Sequence, residues 1–212
     1  MTLVVLCAGG HARVVVEALL SRGIRPDSFT DRDPARMGTS VGGVPIVGSD
    51  DHVLTLPVAA TELANGRGNR ATRTSSGLSG RRGLFERFVA LGYGFPVIAH
   101  VSAVIASDVS PAEGAQMMAG SIVQPGGRIG RNVLINTRAV VEHDCQVGDH
   151  SHIAPGAVLC GGVAVGEEVH VGAGAVVLGG VRLGARSVVA AGAVIARDVE
   201  AGTFAGGDDG AR

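Results

Sequence analysis

The sequence has no tryptophan, one tyrosine and five phenylalanines among 212 residues. A fold that fills its core with rings does not suit this composition. The 34 glycines and 46% hydrophobic content suit a solenoid, whose corners need glycine and whose narrow interior has no room for rings. Cysteine is scarce too. Cys7, Cys145 and Cys160 are odd in number and lack metal-ligand spacing, so they read as reduced thiols of a cytoplasmic protein. The formal net charge of -1 gives no electrostatic basis for binding nucleic acid or an anionic membrane. No apolar run approaches the ~20 residues of a membrane-spanning helix. The N-terminal MTLVVLCAGGHARVVVEALL lacks a basic leader and is broken by a glycine turn, which argues against a secretory signal.

What the sequence does contain is a period of six. Sixteen units run without a gap from Ile105 to the one that begins at Ile195. Their first positions are aliphatic or Met in every unit but that of Pro111. Their fifth positions are small or β-branched, as at Ala115, Ala139, Cys145, Val163 and Ala175. A six-residue repeat predicts a parallel β-helix, with one short strand and one corner per unit. Three units close a triangular coil of eighteen residues. The open ends of such a stack need covers, and its flat sides invite symmetric self-association, most simply as a homotrimer.

The first part reads as an α/β unit. The predicted elements are a strand at Leu3–Leu6, a turn at Cys7–Gly10 and a helix from His11 to Arg22 with Val14, Val15, Ala18 and Leu19 on one face. Further strands are expected at Ser28–Thr30, Leu56–Ala60 and Phe95–Ile98, and a small excursion with its own turn at Val41–Gly48. A helix is expected at Gly83–Leu91, with Leu84, Phe88 and Leu91 on one face. Thr72–Gly83, rich in Ser, Gly and Arg, reads as a mobile loop. Two domains follow: residues 1–98 as a Rossmann-like unit and residues 99–212 as the β-helix with its tail.

His143 and Asp144 fall on a corner, where side chains point outward. An imidazole is a suitable general base at neutral pH, and an adjacent carboxylate steadies the imidazolium that forms. Reading one coil up or down places Pro125-Gly126 below the pair, and Gly161-Gly162 then Gly179-Gly180 above it. That leaves a bare strip along which a thin ligand arm could lie. His152 stacks under His170 on a different face, so His143 and His152 could share a site only between subunits. Asn136 precedes Thr137 at a corner facing the coil before His143, where its amide could hold a ligand or cap the turn. In the first unit, Gly9, Gly10 and His11 lie between strand and helix, where backbone N–H groups bind phosphate. Asp31 ends the next strand, where a ribose hydroxyl is usually held. No role is evident for His52, His100 or His150. A β-helix zinc site would need three converging histidines, and no two histidines in the repeats have the five-residue spacing of such sites, so no metal is expected.

These features together resemble the hexapeptide-repeat acyltransferases, whose fold is a left-handed β-helix. More narrowly the chain resembles the group that acetylates sialic acids and nucleotide-linked amino sugars. The stretches LVVLCAGGHARVVVEAL, NRATR to LFERFVALGYGFP, and INTRAVVEHDCQVGDHSHIAPGAVLCGGVAVGEEVHVGAGAVV carry the resemblance. It implies an acetyl-CoA-dependent acetyltransferase with no metal, working as a homotrimer with sites between subunits. His143 matches the catalytic base and Asp144 its acidic partner. His152 matches an acetyl-CoA contact, with further contacts near Ala173 and Ala191, and the glycines Gly161, Gly162 and Gly179 lie along the expected path of the cofactor arm. Gly9, Gly10 and His11 match the acceptor-binding turn, joined by Asp31, Arg32, Gly66 and Asn136. The implied reaction is direct N-acetylation of a nucleotide-linked 4-amino-4,6-dideoxy sugar, with a backbone N–H or His152 stabilising the oxyanion. The alternatives are O-acetylation of a sialic acid and a non-catalytic nucleotide-sugar-binding trimer. Three departures stand out: Cys7 where the group has glycine, a lengthened Asn65–Gly83 segment, and AGGDDGAR at 205–212 in place of a Gly-x-Pro-Ala-Arg ending.

Overall fold

The computed structural model of the chain describes residues 1–206. The altered ending runs out of this range after Gly206. The described residues form an α/β unit followed by a left-handed parallel β-helix of hexapeptide repeats. No helix among them is long and apolar enough to cross a membrane.

Strand β1 (Thr2–Leu6) is central in the first sheet because Val4, Val5 and Leu6 are buried on both faces. Helix α1 (Gly10–Leu20) follows the turn. It buries Ala12, Val15, Val16, Ala18 and Leu19, while Val14 is exposed. Of the expected inner face, Val15, Ala18 and Leu19 are buried and Val14 is not; Ala12 and Val16 complete the stripe. Strand β2 (Ser28–Thr30) pairs parallel with β1. Strands β3 (Ser40–Val41) and β4 (Val44–Gly48) form a hairpin whose two turn residues, Gly42 and Gly43, have φ of 57° and 74°. A tight two-residue turn of this kind needs positive φ at both positions. The excursion is more than a loop, since β4 also pairs with β2.

The strand expected at Leu56–Ala60 is absent. Two 3-10 turns, Asp50–Thr55 and Val58–Ala60, occupy the region, and β5 (Thr61–Asn65) begins only after them. Pro57 fixes φ and lacks an N–H, and Ala60 N closes a turn on its carbonyl, so the apolar run cannot continue as a strand. The sheet order is β3-β4-β2-β1-β5. Helix α2 (Ser79–Ala90) starts four residues before the expected Gly83 and buries Arg81, Leu84, Phe85 and Phe88, leaving Leu91 exposed. The Ser-Gly-Arg stretch read as mobile therefore contributes the first turn of a helix. No strand forms at Phe95–Val97; Ile98–Ala99 is instead the first strand of the β-helix, one unit earlier than the period suggested.

The β-helix has three parallel faces. The seven-stranded one runs through Ile98–Ala99, Gln116–Met117, Leu134–Ile135, His152–Ile153, His170–Val171, Val188–Val189 and Phe204–Ala205. The six-stranded one carries Val104–Ile105, Ile122–Val123, Val140–Val141, Val158–Leu159, Val176–Val177 and Val194–Ile195. The four-stranded one starts only at Arg128–Ile129, beyond Pro111, which has no N–H to give a ladder. Partners lie eighteen residues apart, as Val140 with Val158. The last coil differs: Val188 pairs with Phe204, and Leu183 with Val199, sixteen residues on. The final unit is therefore not a full hexad. At its corner, Asp198 Oδ1 accepts from Arg182 N at 2.8 Å. First and fifth positions both point inward, so Met117, Ile135, Ile153 and Val171 stack beside Ala115, Val133 and Val169, all fully buried.

The α/β unit sits on the seven-stranded face. Ile98, Met118 and Leu134 join the cluster of Val5, Ala12 and Val15, and Phe85 stacks on Phe95 at 4.7 Å. The seam also buries polar groups. Arg81 is 1% exposed and donates from Nη1 to the carbonyls of Asn65 and Arg67. Burial pushes its pKa down to about 9. His11 bonds Gln116 at 3.1 Å across the seam, and burial, then the Arg81 charge, lower its pKa to about 4. A histidine held neutral when folded binds fewer protons than the unfolded chain at mildly acid pH. Its stabilising contribution is complete above about pH 6.5 and is lost as pH falls towards about 4. We expect His11 alone to account for up to about 3 kcal/mol of acid destabilisation in that window. Thermal unfolding followed by calorimetry at several pH values checks this, and His11→Gln should flatten that part of the profile.

Candidate active site

His143 and Asp144 lie at the corner between the six-stranded and four-stranded faces, after Val140–Val141 and before Gln146–Val147. The fourth position of this corner requires left-handed backbone. Asp144 adopts it with φ of 59°, and Gly162 and Gly180 fill the same slot in the next two coils with φ of 72° and 73°. Those two glycines thus answer the turn. Gly161 has a different cause: a Cβ there would lie 2.5 Å from His143 Nε2. Below the pair, a Cβ on Gly126 would lie 2.5 Å from Asp144 Oδ1. The dyad is bracketed by two positions that must stay bare.

His143 Nδ1 donates to Asp144 Oδ2 at 2.9 Å. An ionised carboxylate only accepts, so the ring proton is on Nδ1 and Nε2 carries the lone pair. Nε2 has no hydrogen-bond partner among the described residues. This is the form a general base requires. Both side chains are mostly exposed, at 65% and 73%, so a single chain offers the dyad no wall against water. Gly161→Ala tests the fit. The added methyl must displace the imidazole, while the ordinary φ of Gly161 leaves the backbone unstrained. Steady-state kinetics should give a kcat about 10²-fold lower, and thermal melting should be little changed.

A second feature lies at the far edge of the six-stranded face, on the corner shared with the seven-stranded one. A cleft of about 560 Å³ is lined by His152, His170, Ala173, Val188 and Ala191, under the Asn69–Arg73 segment. Arg73 stacks on Phe204 at 4.8 Å, tying this segment to the last strand. The N–H groups of Ala173 and Ala191 make no hydrogen bond among the described residues, so the cleft wall carries free donors. His152 is more constrained than expected. Its Nδ1 is 2.6 Å from Asn69 Oδ1 and its Nε2 is 3.0 Å from Asn136 Nδ2, so no ring N–H is left for an oxyanion. Burial, then His170 and Arg81, hold its pKa well below the usual range. Asn136 accepts from Thr137 N at 2.8 Å, so it both caps its turn and orients His152. Within one chain, His143 and this cleft do not meet; they stand on opposite edges of the six-stranded face. Gly161, Gly162 and Gly179 belong to the His143 edge, and His152, Ala173 and Ala191 to the cleft edge.

The N-terminal turn is a third element. Cys7 stands in left-handed conformation, φ 68°, which explains why glycine suits this place. Its thiol is pushed up to about 11 by burial and then by Asp50, so it is no nucleophile at neutral pH. A Cβ on Gly9 or Gly10 would meet nothing within 4 Å, so the N-terminus of α1 faces open space. His11 turns away from that space to Gln116. Asp31 accepts from Ala8 N at 3.2 Å and from Arg36 Nη1 at 2.6 Å, so Arg36 occupies part of the carboxylate. Arg32 is exposed beside Asp50, 3.9 Å away. Gly66 is set by packing, since a Cβ there would lie 2.6 Å from Leu6 O. Among the described residues, no group of three or more His, Cys, Asp or Glu could hold a metal ion.

Sequence reasoning assigned no role to Asn69 or Arg81, although both lie within a stretch that carries the resemblance, and it missed an apolar stripe. The outward residues of the six-stranded face are Val104, Ile122, Val140, Val158, Val176 and Val194, one every eighteen residues and in register.

The family described as bacterial transferase hexapeptide (six repeats) matches residues 126–161 and 162–197. The chain is similar to the acetyltransferase domain of PglB from Neisseria gonorrhoeae, solved with acetyl coenzyme A. The two share 32% identity over 98% of this chain and 96% of that one, with a TM-score of 0.88. It is also similar to PerB from Caulobacter crescentus, solved with CoA and GDP-perosamine, at 35% identity over 99% of this chain and 95% of that one, TM-score 0.88. A variant of the Caulobacter crescentus perosamine N-acetyltransferase with one histidine replaced, again with CoA and GDP-perosamine, matches at 34% identity over the same shares, TM-score 0.89.

Proposed function

The chain belongs to the hexapeptide-repeat acyltransferases, and on that premise we propose that it N-acetylates a nucleotide-linked 4-amino-4,6-dideoxy sugar by direct transfer. It is an acetyltransferase that uses acetyl-CoA as cosubstrate, and nucleotide amino sugars are its acceptor class. In this reading the first 98 residues present the acceptor and the β-helix holds acetyl-CoA. Gly9 and Gly10 offer the open helix N-terminus to the acceptor's phosphates.

The observation that carries the reading is the orientation of His143. With Nδ1–H held by Asp144, Nε2 takes a proton from the acceptor amine as its nitrogen attacks the thioester carbonyl. Asp144 steadies the imidazolium. The C–S bond then breaks, and the imidazolium returns its proton to the leaving thiolate, giving an amide and free thiol. The unbonded N–H of Ala173 or Ala191 is the available donor for the oxyanion, in place of His152. The assembly is a homotrimer. Threefold packing about the six-stranded face brings the His143 corner of one copy to the cleft edge of the next and supplies the missing wall.

The test is CoA release from acetyl-CoA with a panel of nucleotide amino sugars and free sialic acids. Release dependent on a nucleotide amino sugar supports the reading, and release with a sialic acid alone replaces the acceptor class. A protein that binds a nucleotide sugar but neither binds acetyl-CoA nor releases CoA is a non-catalytic module.

A further inference from the structure

We infer that His170, oriented by Asn69, presents an N–H donor to a carbonyl oxygen of the acetyl-CoA arm. The inference rests on reading the cleft as the acetyl-CoA site. It comes from a hydrogen-bond chain whose direction is fixed at both ends by backbone groups. At one end, Thr137 N can only donate, so Asn136 Oδ1 accepts from it at 2.8 Å. Asn136 Nδ2 must then donate to His152 Nε2, 3.0 Å away. With Nε2 bare, the His152 proton is on Nδ1 and goes to Asn69 Oδ1 at 2.6 Å. At the other end, the carbonyl of Ser76 can only accept, so Asn69 Nδ2 donates to it at 3.0 Å. The same Nδ2 lies 3.0 Å from His170 Nδ1. Both ends demand the same orientation of the Asn69 amide, so the assignment does not depend on a choice between its oxygen and nitrogen.

The consequence falls on His170. Its Nδ1 accepts from Asn69, so a neutral ring must carry its proton on Nε2. Burial keeps the ring neutral, with a pKa of about 4. Nε2 makes no hydrogen bond among the described residues, and the ring lines the cleft beside Ala173 and Ala191. Stacked rings so different in wiring, 5.0 Å apart and edge to face, divide the work. His152 is locked inside the protein, and His170 faces the ligand. The cleft therefore displays N–H donors, and the arm of acetyl-CoA carries amide carbonyls, remote from the reacting thioester, that need them.

The first measurement is nitrogen-detected NMR on the unaltered protein, which reads which ring nitrogen bears the proton. We expect Nδ1–H for His152 and Nε2–H for His170; a proton on His170 Nδ1 would overturn the relay. The second is calorimetric binding of acetyl-CoA. His170→Phe keeps the volume and removes the donor, and Asn69→Asp removes the donor to His170 Nδ1 and draws the His170 proton to that atom. Each should weaken acetyl-CoA binding about tenfold, raising KM with kcat at saturation within about twofold, and His170→Gln should restore most of the affinity. Equal affinity in parent and His170→Phe proteins would overturn the ligand contact. Failure of the parent itself to bind acetyl-CoA would instead remove the reading of the cleft on which the contact rests.

Discussion

Replacing His143 with alanine is expected to lower kcat by about 10²–10⁴-fold, the range a positioned general base contributes. Acetyl-CoA binding should survive, because the cleft proposed to hold the arm lies at the other edge of the six-stranded face. The loss should therefore appear in kcat with little change in the KM for acetyl-CoA, as expected when an interaction made only in the transition state is removed. The fold should be unaffected, since the His143 side chain is 65% exposed and its one side-chain bond is to Asp144. That exposure suggests a stricter check. Added imidazole is small enough to reach the vacated corner, and a partial, saturable recovery of rate would assign the lost function to a base. Asp144→Asn should cost less than His143→Ala. An amide oxygen can still accept from Nδ1–H and hold the lone pair on Nε2, but it cannot balance the imidazolium charge. Undiminished CoA release by His143→Ala would remove the histidine from the mechanism.

The legible part of the molecule was the part with a period. Because each unit sends its first and fifth residues inward, one pattern fixed the strands, the corners and the outward direction of His143. The period misled at its two ends: the coil already begins at Ile98–Ala99, and its last partners lie sixteen residues apart. The α/β unit was legible at β1 and β2, where apolar runs are short and bounded. It was not legible at Leu56–Ala60, where Pro57 turns an apolar run into 3-10 turns. Arg81 shows a different limit. A Ser-Gly-Arg stretch reads as solvated loop, yet the guanidinium is buried: Nη1 donates to two carbonyls of the β5 exit, while Nε and Nη2 have no hydrogen-bond partner among the described residues. The Asn69–His152 contact spans 83 residues and joins two units, so no local pattern announces it. The role of Gly161 was half visible: its place above His143 followed from counting, but the reason it must be glycine is the position of an imidazole.

If the trimer packs on the six-stranded face as proposed, a glutamate at Val158 should leave the protein monomeric and abolish acetyl transfer. Val158 lies in the middle of the aliphatic column of the six-stranded face, whose ends, Val104 and Val194, are 59% and 67% exposed. The corresponding outward column of the four-stranded face is Arg128, Gln146, Ala164 and Arg182, so an aliphatic column is not a general requirement of the coil. An unbroken aliphatic stripe facing water marks a contact surface. A carboxylate buried there without a partner costs several kcal/mol per copy, enough to dissociate a trimer, while the isolated coil loses only about 0.5 kcal/mol or less. Sedimentation measures the size, and circular dichroism verifies the fold. Loss of activity on dissociation would be ambiguous alone, so the shared site needs its own test. His143→Ala lacks the base, and Ala173→Trp fills the cleft; each protein alone should be inactive. If one copy supplies His143 and the next supplies the cleft, every mixed trimer of the two contains one interface at which both are intact. Random assembly from equal amounts makes about three quarters of the trimers mixed, each with one working site in three, so about one quarter of the parent activity should return. Sites built within single chains would return none, because no chain in the mixture would carry both parts.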